Sequence, residues 1–378
     1  MKKISKLKRI FLLLLIPLSL IVTYIAKGNA TFAEEVFSKR IYHVLSIVVS
    51  NITGILPFSI GEILLLITPI IFTILLIRFI LGLVRCEGNN GEIVDKRKIR
   101  RYLAAKGILN VGCFFSVLFF CYTIGCGVNY YRYPFSHYSN LTVQESTEEE
   151  LKELCLSLAN QANELRSQIT SEDIFGVLKL PKSKLKIRTD VVQAYDNLAK
   201  TYPILSGSYP AVKPLLVSKL MSRMELTGIF WPFTMEANVN IDIPDYSIPS
   251  TMAHEMAHMR GFMREDEANY IAYLACKASE LPEIRYSGIM EALILAGNAL
   301  YDKNVDLYHE VATTYSTKVR IDLNANSEYW RQFENNTVSN VAETVNNTYL
   351  KMNDQEDGVQ SYGRMVDLLL AEYRALHQ

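Results

Sequence analysis

The sequence predicts a mostly α fold: three transmembrane helices followed by an α-rich extracytoplasmic domain that also carries a small sheet. Three observations lead there. Apolar residues make up 49% of the 378-residue chain and are clustered rather than spread evenly. Three of the clusters, at about 10–26, 60–84 and 107–128, approach the twenty or so residues that cross a bilayer. Beyond residue 130 the apolar positions recur mainly at helical spacing, with one stretch of strand-like alternation.

The first apolar run follows a basic head of Lys2, Lys3, Lys6, Lys8 and Arg9. It is long for a cleaved signal peptide, and Lys27-Gly28-Asn29-Ala30 makes a weak cleavage site. The residues at 85–106 between the second and third runs are also basic, with Arg85, Lys96, Arg97, Lys98, Arg100, Arg101 and Lys106. The loop after the first run balances Lys27, Lys39 and Arg40 against Glu34 and Glu35. Basic loops stay in the cytoplasm, so the head and 85–106 are assigned inside and the chain from 131 to 378 outside. Arg78 can then snorkel to the inner interface, and Tyr130, Tyr131 and Tyr133 fall where an outer aromatic belt sits. Residues 36–56 are apolar but interrupted by Ser, Asn51 and Gly54, and read as an amphipathic helix on the outer membrane face.

In the outer part, Ser146-Thr147-Glu148-Glu149-Glu150 has a capping-box pattern and opens a helix to about 168, with a stripe of Leu151, Leu154, Leu158, Ala162 and Leu165. Further helices are expected at 190–202 and 212–221. Residues 234–242 alternate with the period of a strand, and Pro232 argues for an edge or a bulge. An edge strand just ahead of the next motif can hold an extended peptide by strand addition, although a core hairpin explains the pattern as well. Pro249 and Ser250 start a helix that Gly261 ends, and 265–278 forms the next one. The remainder to 377 is helical by pattern, with breaks expected at 323–326 and at 354–358. Of six Cys, only Cys155 and Cys276 fall in the outer part, where two buried thiols are expected rather than a disulfide.

The chemistry is concentrated in His254-Glu255-Met256-Ala257-His258 and Arg264-Glu265-Asp266-Glu267-Ala268-Asn269. Residues four apart share a helix face, so His254 and His258 can grip one Zn²⁺ and Glu255 can take a proton from its water. The bland alternative is a core helix with two satisfied histidines. A catalytic zinc keeps three protein ligands and one open position, and Glu265 and Glu267 compete for the third place. Glu265 shares a face with Asn269, an arrangement that resembles the Glu-x-x-x-Asp element of gluzincin peptidases with Asn in place of Asp. A metzincin reading fails because its third ligand would fall on Arg264. The step of seven residues from His258 to Glu265 is short for a gluzincin and needs the Gly261 turn to bring the next helix straight back. Candidates to stabilise an oxyanion are Tyr286, Arg285 and Tyr362, while Glu236 and Asn238 are candidates to line the cleft.

Several stretches together resemble an uncharacterised family of bacterial membrane proteins, domain of unknown function 3810, with a gluzincin-like site. They are Leu56-Pro57-Phe58-Ser59-Ile60-Gly61-Glu62-Ile63, Asn129-Tyr130-Tyr131-Arg132, Thr227 through Asn240, His254 through Phe262 with Glu265-Asp266-Glu267-Ala268-Asn269, and Asp357 through Gly363. The resemblance implies a zincin-like outer domain and a membrane-bound zinc peptidase of no known substrate. The expected partners are the lipid bilayer and a peptide or protein substrate. A net charge of zero argues against nucleic acid. Two other functions fit the same residues: a zinc-fold sensor or scaffold without turnover, and a zinc amidase acting on cell-wall material.

Overall fold

The computed structural model describes residues 2–84, 96–181, 183–334, 337–352 and 364–377. It is mostly helical, with one small mixed sheet. Three helical stretches are long and apolar enough to cross a membrane: Lys8–Gly28, Ile60–Gly82 and Arg100–Gly125. The first joins α1 (Lys2–Leu13) to α2 (Leu15–Gly28) through a turn at Leu14, and the pair packs along α5 (Lys96–Gly125). There Ser116 Oγ donates to the Leu12 carbonyl at 2.5 Å. The middle one, α4 (Ile60–Val84), exposes Leu, Ile and Phe side chains along its length, as a helix surrounded by apolar solvent would.

Between α2 and α4 a π-wound stretch, Phe32–Tyr42, continues into α3 (His43–Gly54). This helix is amphipathic in an inverted sense. Its inner face is polar: Glu34, Ser38, Tyr42, Ser46, Ser50 and Thr53 are all buried. Its outer face exposes Ile41, Val44, Val48 and Ile52. Each inner group finds a partner, because an unpaired buried polar group costs about 1–3 kcal/mol. Glu34 accepts two bonds from Arg132 at 2.8 and 2.9 Å, and Ser38 donates to Asn129 Oδ1 at 2.7 Å. Ser46 pairs with the Tyr209 hydroxyl at 3.0 Å, and Thr53 donates to the Thr234 carbonyl at 3.1 Å.

After a short turn at Gly127–Tyr131 and α6 (Ser136–Ser139), the rest of the chain is mainly a stack of helices. The first, α7 (Glu148–Gln168), opens with the full capping box: Thr147 Oγ1 accepts from Glu150 N–H, and Glu150 reaches back to Thr147 N–H. α8 (Lys184–Leu198) follows, two turns earlier than the 190–202 expected from the sequence. The expected helix at 212–221 divides into strand β1 (Lys213–Pro214) and a short α9 (Ser218–Arg223). Proline forces the residue before it into extended backbone, and Lys213 uses that conformation to pair beside Asn238.

The strand-like run resolves into a hairpin, β2 (Gly228–Trp231) and β3 (Glu236–Val239), with Met235 in left-handed backbone at the turn. The sheet order is β1-β3-β2, so β3 lies in the centre and β1 and β2 are its edges. The residues read as an edge are therefore the most enclosed, and the edge moves to the strand before Pro232. Beyond the sheet run α10 (Ile248–Met259), α11 (Glu265–Lys277), α12 (Pro282–Lys303), α13 (Val305–Thr313), α14 (Thr317–Arg331), α15 (Thr337–Met352) and α16 (Met365–His377). The break expected at 323–326 does not occur, since α14 runs through it; chain reversals fall instead where Asn304 and Ser316 cap the next helix. The break expected at 354–358 lies outside the described residues. Cys155 and Cys276 are free, buried thiols.

The core contains a charge network centred on the buried pair Arg166 and Asp322. Arg166 donates to Asp322 at 2.6 Å and to Glu172 at 2.8 Å, and Asp322 also accepts from Tyr286 Oη and Leu178 N–H, each at 2.8 Å. Removing one partner leaves the other charge buried and bare, at a cost of about 3–5 kcal/mol. Asp322→Ala leaves Arg166 with Glu172 as its remaining acidic partner and should lower the unfolding free energy of the purified protein by about 3–5 kcal/mol, whereas a loss below about 1 kcal/mol would show that water or Glu172, not Asp322, satisfies Arg166.

Candidate metal centre

The site is built on the turn between α10 and α11. All of α10 is buried except His254, which is half-buried. Pro249 starts it, where the missing N–H has no partner to lose. Its end is a Schellman turn: Phe262 N–H donates to the Ala257 carbonyl at 3.1 Å and Gly261 N–H to the His258 carbonyl at 2.9 Å. Gly261 sits at φ +87°, and a Cβ there would press on the Tyr42 ring and Arg132. The turn leaves the Phe262 carbonyl facing back, and His258 Nδ1–H donates to it at 2.8 Å. That bond fixes the tautomer and leaves the His258 Nε2 lone pair free.

The same turn returns the chain so that Glu265, first residue of α11, meets both rings. Glu265 Oε2 lies 3.1 Å from His254 Nε2 and Oε1 lies 3.7 Å from His258 Nε2. The two imidazoles stand at 89° with centroids 4.6 Å apart. One ligand atom from each of the three residues falls within 4.8 Å of the other two. Burial alone would lower the His254 pKa, but the hydrogen bond and charge of Glu265 outweigh it and raise the group to about 9. Burial would likewise raise Glu265, and the two histidines drive it far below the usual carboxylate range.

Glu255 is buried beside this cluster, and its Oε2 has no hydrogen-bond partner. Burial pushes its pKa up to about 7 against the pull of the two histidines. Its carboxylate lies directly under the backbone of edge strand β2, where a Cβ on Gly228 would collide with Oε1. Only glycine permits that approach, and nothing in the local sequence around Gly228 announces it. Glu291 on α12 is a further acid that sequence reasoning missed; burial raises its pKa against the pull of the His254 charge.

The remaining candidates lie elsewhere. Glu267 points away from the cluster: its Oε1 accepts from Phe135 N–H at 3.2 Å and lies 3.5 Å from Arg264, with burial lifting its pKa to about 7. Tyr286 is fully buried with its hydroxyl committed to Asp322, so it is a core residue and not an oxyanion donor. Asn269 adds the smallest of the contributions that raise His254, yet His254 Nδ1 has no hydrogen-bond partner. Arg285 is half-buried with its Nε unpartnered, and no described contact joins it to the cluster. Tyr362 lies outside the described residues. Glu236 holds the fold together rather than lining the cleft: it accepts from the first N–H groups of α4, Ile60 at 3.0 Å and Gly61 at 2.8 Å, and pairs with buried Lys213. Asn238 donates to the Ile229 and Glu236 carbonyls, bracing the hairpin from within.

The main-chain ends of the site are held from the other side by the helix that precedes α4. Tyr42 Oη donates to the His258 carbonyl at 3.1 Å, and Arg132, paired with Glu34, donates to the Arg260 carbonyl at 3.3 Å while stacking 4.0 Å over Phe262. Buried Arg260 stacks on Tyr195 and Tyr209 and donates to the Leu205 carbonyl.

The chain belongs to the family described as protein of unknown function (DUF3810), which matches it over residues 37–370. No curated protein and no solved structure matches it.

The geometry separates the two acids that compete for the third ligand position. Divalent-metal content of the purified protein, read by elemental analysis after equilibration with excess ion and desalting, should collapse in Glu265→Ala and persist in Glu267→Gln. The reverse pattern would move the ligand to Glu267.

Proposed function

We propose that the protein is a membrane-anchored zinc metallopeptidase with its chemistry on the extracytoplasmic face. The observation that carries this reading is the convergence of His254, His258 and Glu265 beside a buried carboxylate, Glu255, with an unpartnered oxygen. The donor set fits zinc. Two imidazole nitrogens and one carboxylate oxygen are a catalytic zinc's usual protein ligands. Ligand atoms around a tetrahedral zinc stand about 3.3 Å apart for bonds of about 2.0–2.1 Å. The two Glu265 oxygens lie 3.1 Å from His254 Nε2 and 3.7 Å from His258 Nε2, and one donor atom from each residue falls within 4.8 Å of the others, close enough for a small shift to close them on one ion. The bond from His258 Nδ1–H to Phe262 turns Nε2 toward the ion. A zinc bound there supplies a Lewis acid that polarises a carbonyl and acidifies water.

The chain's own residues do the rest. Glu255 Oε2 accepts a proton from the attacking water and delivers it to the leaving amine. Edge strand β2 offers main-chain hydrogen bonds to an extended peptide, and Gly228 lets that peptide approach the Glu255 carboxylate. The helix pair α10–α11 against a small sheet is the arrangement that makes the domain zincin-like. Membrane attachment is supported by the three apolar helices and by their polarity. The chain just after α2, the start of α4 and the end of α5 all meet the part of the chain beyond residue 131: Thr31 pairs with Tyr133 at 2.7 Å, Glu236 receives the α4 amides, and Gly125 abuts Pro232. Alternating spans bring those three ends to one side, and the basic head and 96–106 mark the opposite side as cytoplasmic.

The test is a peptide library incubated with the purified full-length protein. Turnover should vanish with a chelator and return with zinc. Glu255→Gln should cut it by about 10²–10⁴-fold, the usual share of a general base, with zinc content unchanged. Undiminished turnover in Glu255→Gln would remove that residue from the mechanism. A zinc-loaded protein that cuts no peptide would favour the scaffold reading, and release of amines from wall material alone would favour the amidase. Gly228→Ala should retain zinc and lose turnover, because the added methyl occupies the space of the Glu255 carboxylate.

A further inference from the structure

The edge strand that passes over Glu255 leads directly to the ends of the apolar helices. Gly228, its first residue, lies on the Glu255 carboxylate. Trp231, its last, lies on Gly61 in the first turn of α4, where a Cβ would fall 2.6 Å from the indole ring. Three residues of extended chain span about 10 Å. The next residue, Pro232, abuts the last turn of α5, where a Cβ on Gly125 would fall 2.6 Å from its carbonyl oxygen. The hairpin tip is thus wedged between the outer ends of two apolar helices, and both ends carry glycine where it touches.

The surface around that wedge is apolar and uncovered. Phe233 is 40% exposed, Leu216 79%, Leu220 47% and Ile55 79%. These side chains are held at the level of the helix ends. The Leu216 and Val217 amides donate to Glu62 in the first turn of α4, and Thr53 donates to Thr234 in the hairpin tip. The exposed stripe of Ile41, Val44, Val48 and Ile52 continues the same face along α3 and its π-wound start. Exposed apolar area that continues the surface of membrane-crossing helices is area the bilayer covers.

We infer that the substrate is the juxtamembrane segment of a membrane-tethered polypeptide, cut about three to five residues from its anchor. The inference rests on the peptidase reading. A peptide lying on β2 with its scissile bond at Glu255 reaches the lipid surface within the about 10 Å that separates Gly228 from Trp231. A chain anchored in the same bilayer presents such a segment there without bending. A segment of a soluble protein must instead be pressed against lipid. Tethering also confines both partners to one surface and raises their effective concentration, so a short open strand of four residues suffices to hold the substrate.

Two experiments on full-length protein in phosphatidylcholine vesicles test this, one independent of turnover. The chain has two tryptophans, so Trp330→Phe leaves Trp231 as the only indole. Acyl chains brominated near the headgroup should quench its fluorescence strongly; an unquenched Trp231 would overturn the placement. In the second, one randomised peptide library is offered free in solution and fused to a single membrane-spanning anchor. The tethered library should be cut at least tenfold faster, with cuts at a constant distance from the anchor when a spacer is inserted. Equal rates for free and tethered libraries, with cuts that follow sequence alone, would overturn the inference and leave the peptidase standing. Quenched Trp231 with zinc bound and neither library cut would remove the peptidase reading itself, and this inference with it.

Discussion

The cluster depends on one left-handed turn. With Gly261 at φ +87°, α10 stops and α11 returns within five residues, which is the only way a carboxylate seven positions after His258 can reach both rings. The turn has two further consequences. It aims the Phe262 carbonyl at His258 Nδ1, so the element that ends the helix also sets the tautomer of a residue of the cluster. It also bares the last carbonyls of α10, which Tyr42 from the π-wound stretch and Arg132 from just after the Gly127–Tyr131 turn then satisfy. A side chain at 261 would be strained by its backbone and would collide with both partners.

Buried charges connect the apolar helices to the rest of the chain. Glu34–Arg132 ties the π-wound stretch to the turn, and Glu236–Lys213 ties the sheet to the start of α4. Such pairs contribute little net stability, since desolvation of two ions offsets their attraction, but breaking one strands a charge. Their effect is to fix geometry. Glu236 has little choice of position: it must meet Lys213 and two α4 amides at once, and the amides of a helix N-terminus favour a carboxylate. β3 is thereby held in register over α4, and β2 with it, so that Gly228 lies on Glu255.

What the sequence revealed followed from locality. The capping box at Thr147 and Glu150, the stop at Gly261 and the pair His254 and His258 are each set by residues within a turn of one another, and each appears where the pattern puts it. Glu265, preferred over Glu267 for its helical spacing to Asn269, is the acid that the structure brings to both rings, and Asn269 acts on His254 through a side-chain hydrogen bond. Long-range roles were invisible. Tyr286 looked like a free hydroxyl near the motif, but Asp322, 36 residues on, claims it. Glu236 looked like a cleft residue, but its partners are 175 residues back. The 212–221 stretch has helical composition, and only the demand of β3 for a parallel neighbour, met by the extended backbone before Pro214, makes a strand of it.

The open edge of β2 is the feature that ordinary folding physics least explains. Proteins usually cover or blunt an edge strand, because unpaired amides and carbonyls invite other chains. Here the edge is limited rather than covered: four residues long, ended by Pro232, and wedged at its tip between α4 and α5. Those limits remove the hazard of indiscriminate pairing while leaving one short run of main chain available. That run begins at the single residue, Gly228, whose lack of a side chain brings the backbone onto the Glu255 carboxylate. On the proposed peptidase reading, that run is where an extended substrate lies, beside a core whose sheet is already held by β3 and β1.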